Sequence, residues 1–394
     1  MKKYYLLSAL FLGFLYSCSK DERGQYPLDG IAPGEIKSPT VENIAGGSII
    51  SYTIPNDEDL LYVKAIYKLD DGTVMEQKAS AYENTLKVVG TGKSREQVVQ
   101  LIAYDRSKNQ SKPVEVTIHP LDAPIYDILR SVKVRNDFGG INLGWENPGE
   151  AEVVLMVLTP NTENKYVNAE TFYTKAKAGQ GNLRGYPSIE TEFAIALRDR
   201  WGNKTDTIKG TYHPMPEVEL NRSLFRRWNP AGNSIPYIDL ASQGWTIEKL
   251  WNNTTADPGY SFPLTASLPA SFTLDLGQTA KFSRFKLFHR SSVNQLYSGG
   301  NIKKFQVWGS THPNVTADFA TWVKIGDYTS FKPSGLPLGQ TTAEDLAFAA
   351  VTGEDFNVDF DVPPVRYLRF VIEETWGGNV AAQIMELKFF GEIK

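Results

Sequence analysis

Two short segments in the last third of the sequence combine aromatic and planar polar side chains in the way that sugar binding requires. They are "HRSSVNQLY", with His289, Arg290, Asn294 and Tyr297, and "TWGGNV", with Trp376 and Asn379. The apolar face of a sugar ring packs on an aromatic ring, while amide and guanidinium groups hold the hydroxyls. Gly377 and Gly378 favour a sharply turning loop that exposes Trp376. These residues are therefore candidates for a sugar site.

Each of these side chains also has a structural interpretation. Arg290 ends a strand-like run and could be an ion-pair partner there. Trp376 could fold back over the edge of its own domain, and Tyr297 could be an ordinary packing residue. The sequence alone leaves both interpretations open.

The sequence lacks the motifs of common catalytic sites. It contains no G-x-S-x-G, H-E-x-x-H or P-loop pattern, and its single cysteine lies near the N-terminus. The acidic pair Glu373 and Glu374 lies in a strand-like run, where adjacent side chains point to opposite faces. Two acids far apart in the sequence could still form a glycosidase pair. The sequence favours a binding protein over an enzyme.

The N-terminus predicts a lipid anchor. Two lysines precede an apolar run from Tyr4 to Tyr16, which is too short to span a bilayer and is typical of a signal peptide. The run ends in Leu-Tyr-Ser-Cys, which resembles a bacterial lipobox and would make Cys18 the acylated first residue. The alternative is an ordinary secretory signal with a free thiol. Residues 19–34 are polar and predict a flexible tether, and their lysine followed by two acids resembles the export signal of surface lipoproteins in glycan-foraging Gram-negative bacteria.

Two segments of about ninety residues repeat each other. "GGSIISYTIPN" from Gly46 aligns with "GGINLGWENPG" from Gly139, which pairs Tyr52 with Trp145. An Asp-Arg-x-x-Asn turn and a His-Pro pair recur at matching places in both copies, and the two histidines favour a structural role at the domain junctions. Alternating apolar residues predict short strands. The repeat predicts two β-sandwiches over residues 35–120 and 121–214, and it resembles paired fibronectin type III modules.

The remaining residues, 215–394, predict a third all-β domain. The runs "FTLDLGQTAKFSRFKLFHR", "FQVWGS", "WVKIGDY", "RYLRFVI" and "IMELKFFGE" read as strands, and no long helix is expected after residue 220. In this order and spacing they resemble the discoidin domains, also called coagulation factor 5/8 type C domains, whose fold family-32 carbohydrate-binding modules share. The expected fold class is all-β: two fibronectin III-like sandwiches followed by a discoidin-like jelly roll.

The resemblance implies roles for particular residues. Sugar-binding members of the family carry an arginine, an asparagine a few residues later and an aromatic residue in a late loop, which correspond to Arg290, Asn294 and Trp376. Family members often hold a structural calcium ion, for which the corresponding candidates are Asn252, Thr255, Asp257 and Glu386. Asparagine in place of the usual aspartate at this loop would weaken the site. The alternative is a polar loop held by its own turn hydrogen bonds.

These observations together predict a glycan-binding lipoprotein on the outer membrane. The net charge of −4 argues against a nucleic-acid binder, which needs a basic surface. In this interpretation the first two sandwiches act as a spacer for the third domain. The rival interpretation is a structural or adaptor lipoprotein that docks on outer-membrane transporter proteins through exposed aromatic residues.

Overall fold

The structure is a computed structural model that describes residues 29–234 and 238–394. The predicted anchor Cys18 and most of the predicted tether lie outside the described residues. Sheets dominate the described chain, so the expected all-β sandwich fold class is confirmed.

The first domain is a sandwich of two antiparallel sheets. Its three-stranded sheet has the order β1-β2-β5 and its four-stranded sheet the order β4-β3-β6-β7. In β3 the buried residues Val63, Ala65 and Tyr67 alternate with more exposed ones, and they pack against Tyr52 of the facing sheet. The strands are β1 (Lys37–Ile44), β2 (Gly47–Thr53), β3 (Leu60–Lys68), β4 (Val74–Ser80), β5 (Thr85–Val89), β6 (Gln97–Asp105) and β7 (Val114–Ile118).

The second domain repeats this topology. Its sheets have the orders β12-β9-β8 and β11-β10-β13-β14, which are the same two patterns shifted by seven strands. Trp145 takes the core position of Tyr52, as the alignment predicts. The strands are β8 (Lys133–Asp137), β9 (Gly140–Glu146), β10 (Val153–Pro160), β11 (Tyr166–Thr174), β12 (Ala178–Leu183), β13 (Thr191–Asp199) and β14 (Ile208–Tyr212).

One short helix, α1 (Pro124–Ser131), begins this second domain and has no counterpart in the sequence prediction. Pro124 stands at its first position, where a missing N–H costs nothing. Ile125 and Ile128 bury one face of the helix in the core of the second sandwich. The helix closes that end of the sandwich without changing the fold class.

The third domain is a larger sandwich built around one long strand, β18. The main sheet has the order β15-β24-β18-β22-β19-β20, and β16 and β21 also pair with β18. The first half of β18 pairs with β22 and its second half with β24 and β21, so the strand passes from one layer to the other. Phenylalanines fill the core between the layers, and among them Phe370 stacks on Phe272 and meets Phe285 edge to face.

The bounds of these elements follow in chain order: β15 (Val218–Glu219), β16 (Arg226–Arg227), β17 (Tyr260–Ser261), β18 (Ala270–Phe288), β19 (Ile302–Ser310), β20 (Val323–Thr329), α2 (Ala343–Leu346), β21 (Glu354–Asn357), β22 (Val365–Thr375), β23 (Gln383–Ile384) and β24 (Glu386–Ile393). The helix α2 has a capping box at Thr342 and Asp345, and it continues as one wider turn over Ala347–Val351.

The same backbone contact joins each sandwich to the next domain. Gly46 donates its N–H to the carbonyl of Leu121, and Gly139 donates to the carbonyl of Met215 (3.0 and 2.8 Å). Both glycines have a positive φ, which a side chain would strain. The junction histidines are also equivalent, because the N–H of each is held by an asparagine side chain of the preceding sandwich. This supports the structural role expected for the two histidines.

Candidate functional site

Two loops at one end of the third domain carry most of the sugar-site candidates, and the structure brings these loops together. The loop 290–301 follows β18, and the loop 376–382 follows β22. Gly377 donates its N–H to the carbonyl of Gly299 at 3.1 Å, and Gln383 donates to the carbonyl of Gly300 at 2.7 Å. Residues separated by about eighty positions therefore form one surface.

Asn301 holds this pair of loops in place. Its side chain is fully buried, accepts a hydrogen bond from the N–H of Arg290 and donates to the carbonyl of the same residue (2.8 and 2.9 Å). Its own carbonyl accepts the N–H of Trp376 at 2.8 Å. The buried side chain of Asn301 thus fixes where the first loop leaves its strand, and its backbone carbonyl does the same for the second loop. Sequence inspection missed Asn301, because an asparagine beside two glycines is also the ordinary composition of a turn.

Arg290 pairs with an acid from a third loop. Its Nη2 lies 2.5 Å from Oδ2 of Asp257, and the same carboxylate accepts a hydrogen bond from Ser292 at 2.7 Å. The Arg290 guanidinium beside it holds the pKa of Asp257 below its usual range. The guanidinium also lies over the ring of Trp245, 4.8 Å from its centroid. The ion-pair interpretation therefore describes Arg290, whose side chain keeps only a small exposed fraction.

Asn294 and Asn379 are exposed asparagines, one in each of the two adjoining loops. Asn294 has a positive φ, which asparagine tolerates better than most residues. Within the described chain its side-chain amide has no hydrogen-bond partner. The side-chain oxygen of Asn379 accepts the N–H of Ala381, which leaves its amide nitrogen to solvent. Both amides can meet a ligand without first breaking an internal bond.

Trp376 is half-buried rather than fully presented to solvent. Its ring meets Tyr297 edge to face, with 5.1 Å between centroids, and its Nε1 donates to the hydroxyl of Ser330 at 3.1 Å. The ammonium group of Lys303 lies 5.4 Å from the ring centroid. The ring therefore packs back on its own domain, as the structural interpretation allowed, and a ligand role for it stays a prediction.

Two residues predicted to bind ligand are inaccessible, and both predictions are corrected. His289 is fully buried and its Nε2 lies 2.9 Å from Glu354 and 3.2 Å from the Ser330 hydroxyl. Tyr297 is also fully buried, and its hydroxyl donates to the carbonyl of Phe331. Burial raises the pKa of Tyr297. Both rings fill space beneath the loops, because the loop closes inward over the end of the strand.

Glu386, one of the predicted calcium ligands, binds a positive side chain that the sequence prediction did not consider. Arg222 donates to Oδ1 of Asn253 at 2.7 Å and to Oε1 of Glu386 at 3.2 Å. Asp257 pairs with Arg290 instead of turning towards Glu386. Calcium needs six to eight oxygen ligands, and the Arg222 guanidinium already binds Oδ1 of Asn253 and one of the two oxygens of Glu386.

Glu386 itself is buried, and one of its oxygens has no partner among the described residues. Burial raises its pKa to about 7, against the opposing effect of Arg222. Of the other predicted ligands, the side chain of Asn252 accepts the N–H of Thr254, while Thr255 is exposed. Calcium binding stays a prediction.

Phe331 is an exposed aromatic residue beside the two loops that sequence inspection missed. It is 62% exposed, and its carbonyl receives the hydroxyl of Tyr297. The segment "FKPSGLP" that follows β20 combines an aromatic ring with Gly and Pro, which is the same signal that drew attention to Trp376. Phe331 adds an open apolar ring next to the site.

Three family matches cover most of the chain. Residues 33–120 match DUF4959, residues 121–223 match DUF5126 and residues 247–391 match DUF5000, each described as a domain of unknown function. A comparison with curated proteins finds no match. Among the described residues, no helix has the length and apolar character needed to cross a membrane.

Solved structures of similar proteins include a SusE-like protein and carbohydrate-associated domains. The C-terminal domain of a chitobiase from Bacteroides fragilis is 16% identical, over 45% of this chain and 99% of that one, with a TM-score of 0.30. A GH31 CBM32-2 domain bound to GalNAc is 11% identical, over 42% of this chain and 95% of that one, with a TM-score of 0.27. These two likenesses are too distant to carry an argument.

The SusE-like protein is related more closely in sequence. It is 30% identical to this chain over 68% of this chain and 98% of its own length, with a TM-score of 0.44. The identity across nearly the whole of that protein, rather than the superposition, decides the assignment. The chain belongs to the SusE-like family.

Proposed function

We propose that this protein is a non-catalytic, glycan-binding lipoprotein of a bacterial surface polysaccharide-uptake system. Membership of the SusE-like family supports the place in such a system. The observation that carries the sugar-binding role is the pair of adjoining loops that presents two exposed amides, Asn294 and Asn379, near Trp376 and the Arg290–Asp257 pair.

The chemistry of these loops suits a hydroxyl-rich ligand. Each amide both donates and accepts hydrogen bonds, as sugar hydroxyls do. Arg290 and Asp257 neutralise each other, so the surface does not demand a charged ligand. The half-buried ring of Trp376 and the exposed ring of Phe331 supply apolar surface for the faces of the sugar.

In this proposal Cys18 carries the lipid that holds the protein on the outer membrane, and the first two sandwiches hold the third domain away from the membrane. Replacing Cys18 with Ser should move the protein from the membrane fraction to the soluble fraction. A Cys18→Ser variant that still sediments with outer membranes would contradict the anchor.

The binding role is tested with the soluble protein lacking its first 18 residues, first on a glycan array and then by calorimetry with the sugar that binds. Asn294→Ala combined with Asn379→Ala should weaken binding about tenfold or more, because two hydrogen-bonding groups are lost. Asn84→Ala, an exposed asparagine of the first domain, is the matched control. Equal affinity of the double variant and the control would remove these loops from the site.

A second candidate function is docking on a partner protein such as an outer-membrane transporter. The segment 331–351 beside the loops carries exposed large apolar side chains, which are Phe331, Leu336, Leu338, Leu346 and Val351. Exposed apolar surface of this kind is typical of protein contacts. Cross-linking on intact cells, followed by identification of the linked peptides, distinguishes the two functions. Links from this segment to one transporter, lost in Val351→Asp, would favour docking.

A further inference from the structure

A cleft lies between the second and third domains, and its lining contains none of the residues of the two loops described above. Its volume is about 330 Å³. One wall is the outer face of the sheet β8-β9-β12 of the second domain, and the other is formed by β20 and the segment 357–360 of the third domain. Ligand pockets occur preferentially at domain interfaces, and this volume is at the small end of their range.

The wall from the second domain is polar although the third domain partly covers it. Arg135, Asn142 and Asn182 lie directly opposite one another on three neighbouring strands. Nε of Arg135 donates to the Asn142 oxygen at 3.1 Å, and the Asn142 amide donates to the Asn182 oxygen at 3.2 Å. Asn142 is only 6% exposed. These hydrogen bonds hold the planar side-chain groups in fixed orientations. An interface that only joined two domains would not need polar groups, because burying them costs free energy that apolar side chains do not cost.

The wall from the third domain adds an aromatic ring and an edge strand. β20 is the last strand of its sheet, and the hydroxyl of Tyr328 donates to the carbonyl of Asn357 at 3.2 Å. The guanidinium of Arg135 and the ammonium group of Lys281 each lie 4.9 Å from the centroid of the Phe360 ring. These two contacts hold the ring in place in the wall.

Several polar atoms that line the cleft are free to bind. Within the described chain, the side chain of Gln180 has no hydrogen-bond partner, and neither have the two terminal nitrogens of Arg135. One oxygen of Asp359 receives the N–H of Asp361, which leaves the other open. The free groups are one amide, one guanidinium and one carboxylate, and Asp137, which accepts a hydrogen bond from Asn182, adds a second carboxylate to the lining. They offer both donors and acceptors, as a neutral polyhydroxyl ligand requires.

The two walls are held at a fixed separation. Glu217, in the connection between the domains, accepts from Arg184 of the second domain and Arg284 of the third at 3.2 and 3.1 Å. Arg184 also donates to the Asn357 side chain at 3.0 Å. The cleft is therefore preformed, and a ligand would not have to order it.

We infer that this cleft is a second sugar-binding site, which takes a neutral mono- or disaccharide unit between Gln180, Arg135 and Asp359. The ligand class rests on the proposed function, while the location rests on the cleft itself. A glycan chain bound at two places on one rigid protein would gain affinity by the effective concentration of the second contact.

Hydrogen exchange on the soluble protein lacking its first 18 residues tests the inference. The probes are neutral disaccharides of glucose, galactose, mannose and their N-acetylamino forms. Binding in the cleft should slow amide exchange in residues 178–183 and 323–329. The double variant Gln180→Ala, Asp359→Ala should lose that protection and bind about tenfold more weakly there. Gln110→Ala, an exposed glutamine of the first domain, is the control, and melting curves check that all variants fold.

The outcomes separate the two sites. Protection confined to residues 290–301 and 376–383 would overturn the second site and leave the proposed function standing. Protection confined to the cleft would support the second site and count against the loop site. No protection with any of the sugars would overturn the inference, and protection of the cleft that the double variant retains would overturn its assignment to these residues.

Discussion

Trp376 packs against its own domain, and it is also a predicted sugar contact. Its ring packs on Tyr297 and its Nε1 binds Ser330, so we expect Trp376→Ala to lower the free energy of unfolding by about 2 kcal/mol. Trp376→Phe keeps an aromatic ring and loses the hydrogen bond. We expect this variant to lower the free energy of unfolding by about 1 kcal/mol. Chemical denaturation of both variants measures these costs.

Sugar affinity measured on the same two variants separates the roles of the ring. If the ring contacts sugar, Trp376→Phe should retain most of the affinity and Trp376→Ala should lose it. Unchanged affinity per folded molecule in Trp376→Ala would limit this residue to packing.

Glu386 predicts a pH dependence of stability. Its pKa is raised by burial to about 7 from an ordinary value of 4.5, so the folded state binds this proton more tightly than the unfolded state does. The stabilisation that the tighter proton binding gives the folded state is present in full below the pKa that Glu386 has in the unfolded state. It is lost as the pH rises towards 7. The expected loss across that window is on the order of 3 kcal/mol.

The variant Glu386→Gln, which cannot titrate, isolates this effect. Its unfolding free energy should vary less than that of the wild type between about pH 5 and pH 8. The same slope in both proteins would show that Arg222 keeps Glu386 ionised throughout, against the expectation from burial.

At the scale of elements, the loop end of the third domain depends on a buried side chain more than on its own composition. The side chain of Asn301 accepts the backbone N–H of Arg290 and donates to the carbonyl of the same residue. The backbone carbonyl of Asn301 accepts the N–H of Trp376. We expect Asn301→Ala to lower the free energy of unfolding by about 2–3 kcal/mol, because it leaves the buried backbone groups of Arg290 without partners. Chemical denaturation should show this loss, and the affinity for sugar should also fall.

The neighbouring residue Asn294 provides the matched comparison. Asn294→Ala removes an exposed amide and should change stability by less than about 0.5 kcal/mol while it weakens sugar binding. If Asn301→Ala were as stable as Asn294→Ala, the loops would not depend on the buried amide.

At the scale of the whole molecule, Glu217 joins two domains through two arginines. The three side chains are between 13 and 18% exposed, so removal of the acid leaves the largely buried Arg184 without its ion-pair partner and Arg284 with Asp355 alone. We expect Glu217→Ala to lower the free energy of unfolding by about 3 kcal/mol. The connection between the sandwiches should also become more mobile.

Small-angle scattering and limited proteolysis near residues 213–217 measure that mobility. Glu217→Ala should show a larger radius of gyration and faster cleavage than Glu190→Ala, which removes an exposed acid from the second domain. Identical scattering from the two variants would mean that the backbone contact at Gly139 is sufficient to fix the domains.

Much of the architecture follows from local pattern. Alternation of apolar residues predicts strands such as β3, and the aligned glycines at Gly46 and Gly139 predict a repeat whose two copies have the same strand order. The Asp-Arg-x-x-Asn turns are found in both copies, with the asparagine bound to the aspartate. Such features are readable because they depend on residues close together in the chain. Helix α1 was missed because a single eight-residue element gives little periodic signal.

Strand alternation and turn residues act locally, so the fold class, the repeat and the positions of the two candidate loops can be read from the order of the residues. Which candidates reach solvent depends on the folded arrangement of the strands. It buried His289 and Tyr297, paired Arg290 with Asp257, and placed Arg222 against Glu386 across 164 residues. These outcomes depend on which distant strands become neighbours, and a side chain's type and spacing do not specify its long-range partner. The cleft between the second and third domains likewise cannot be predicted from local pattern, because residues far apart in the sequence form its two walls.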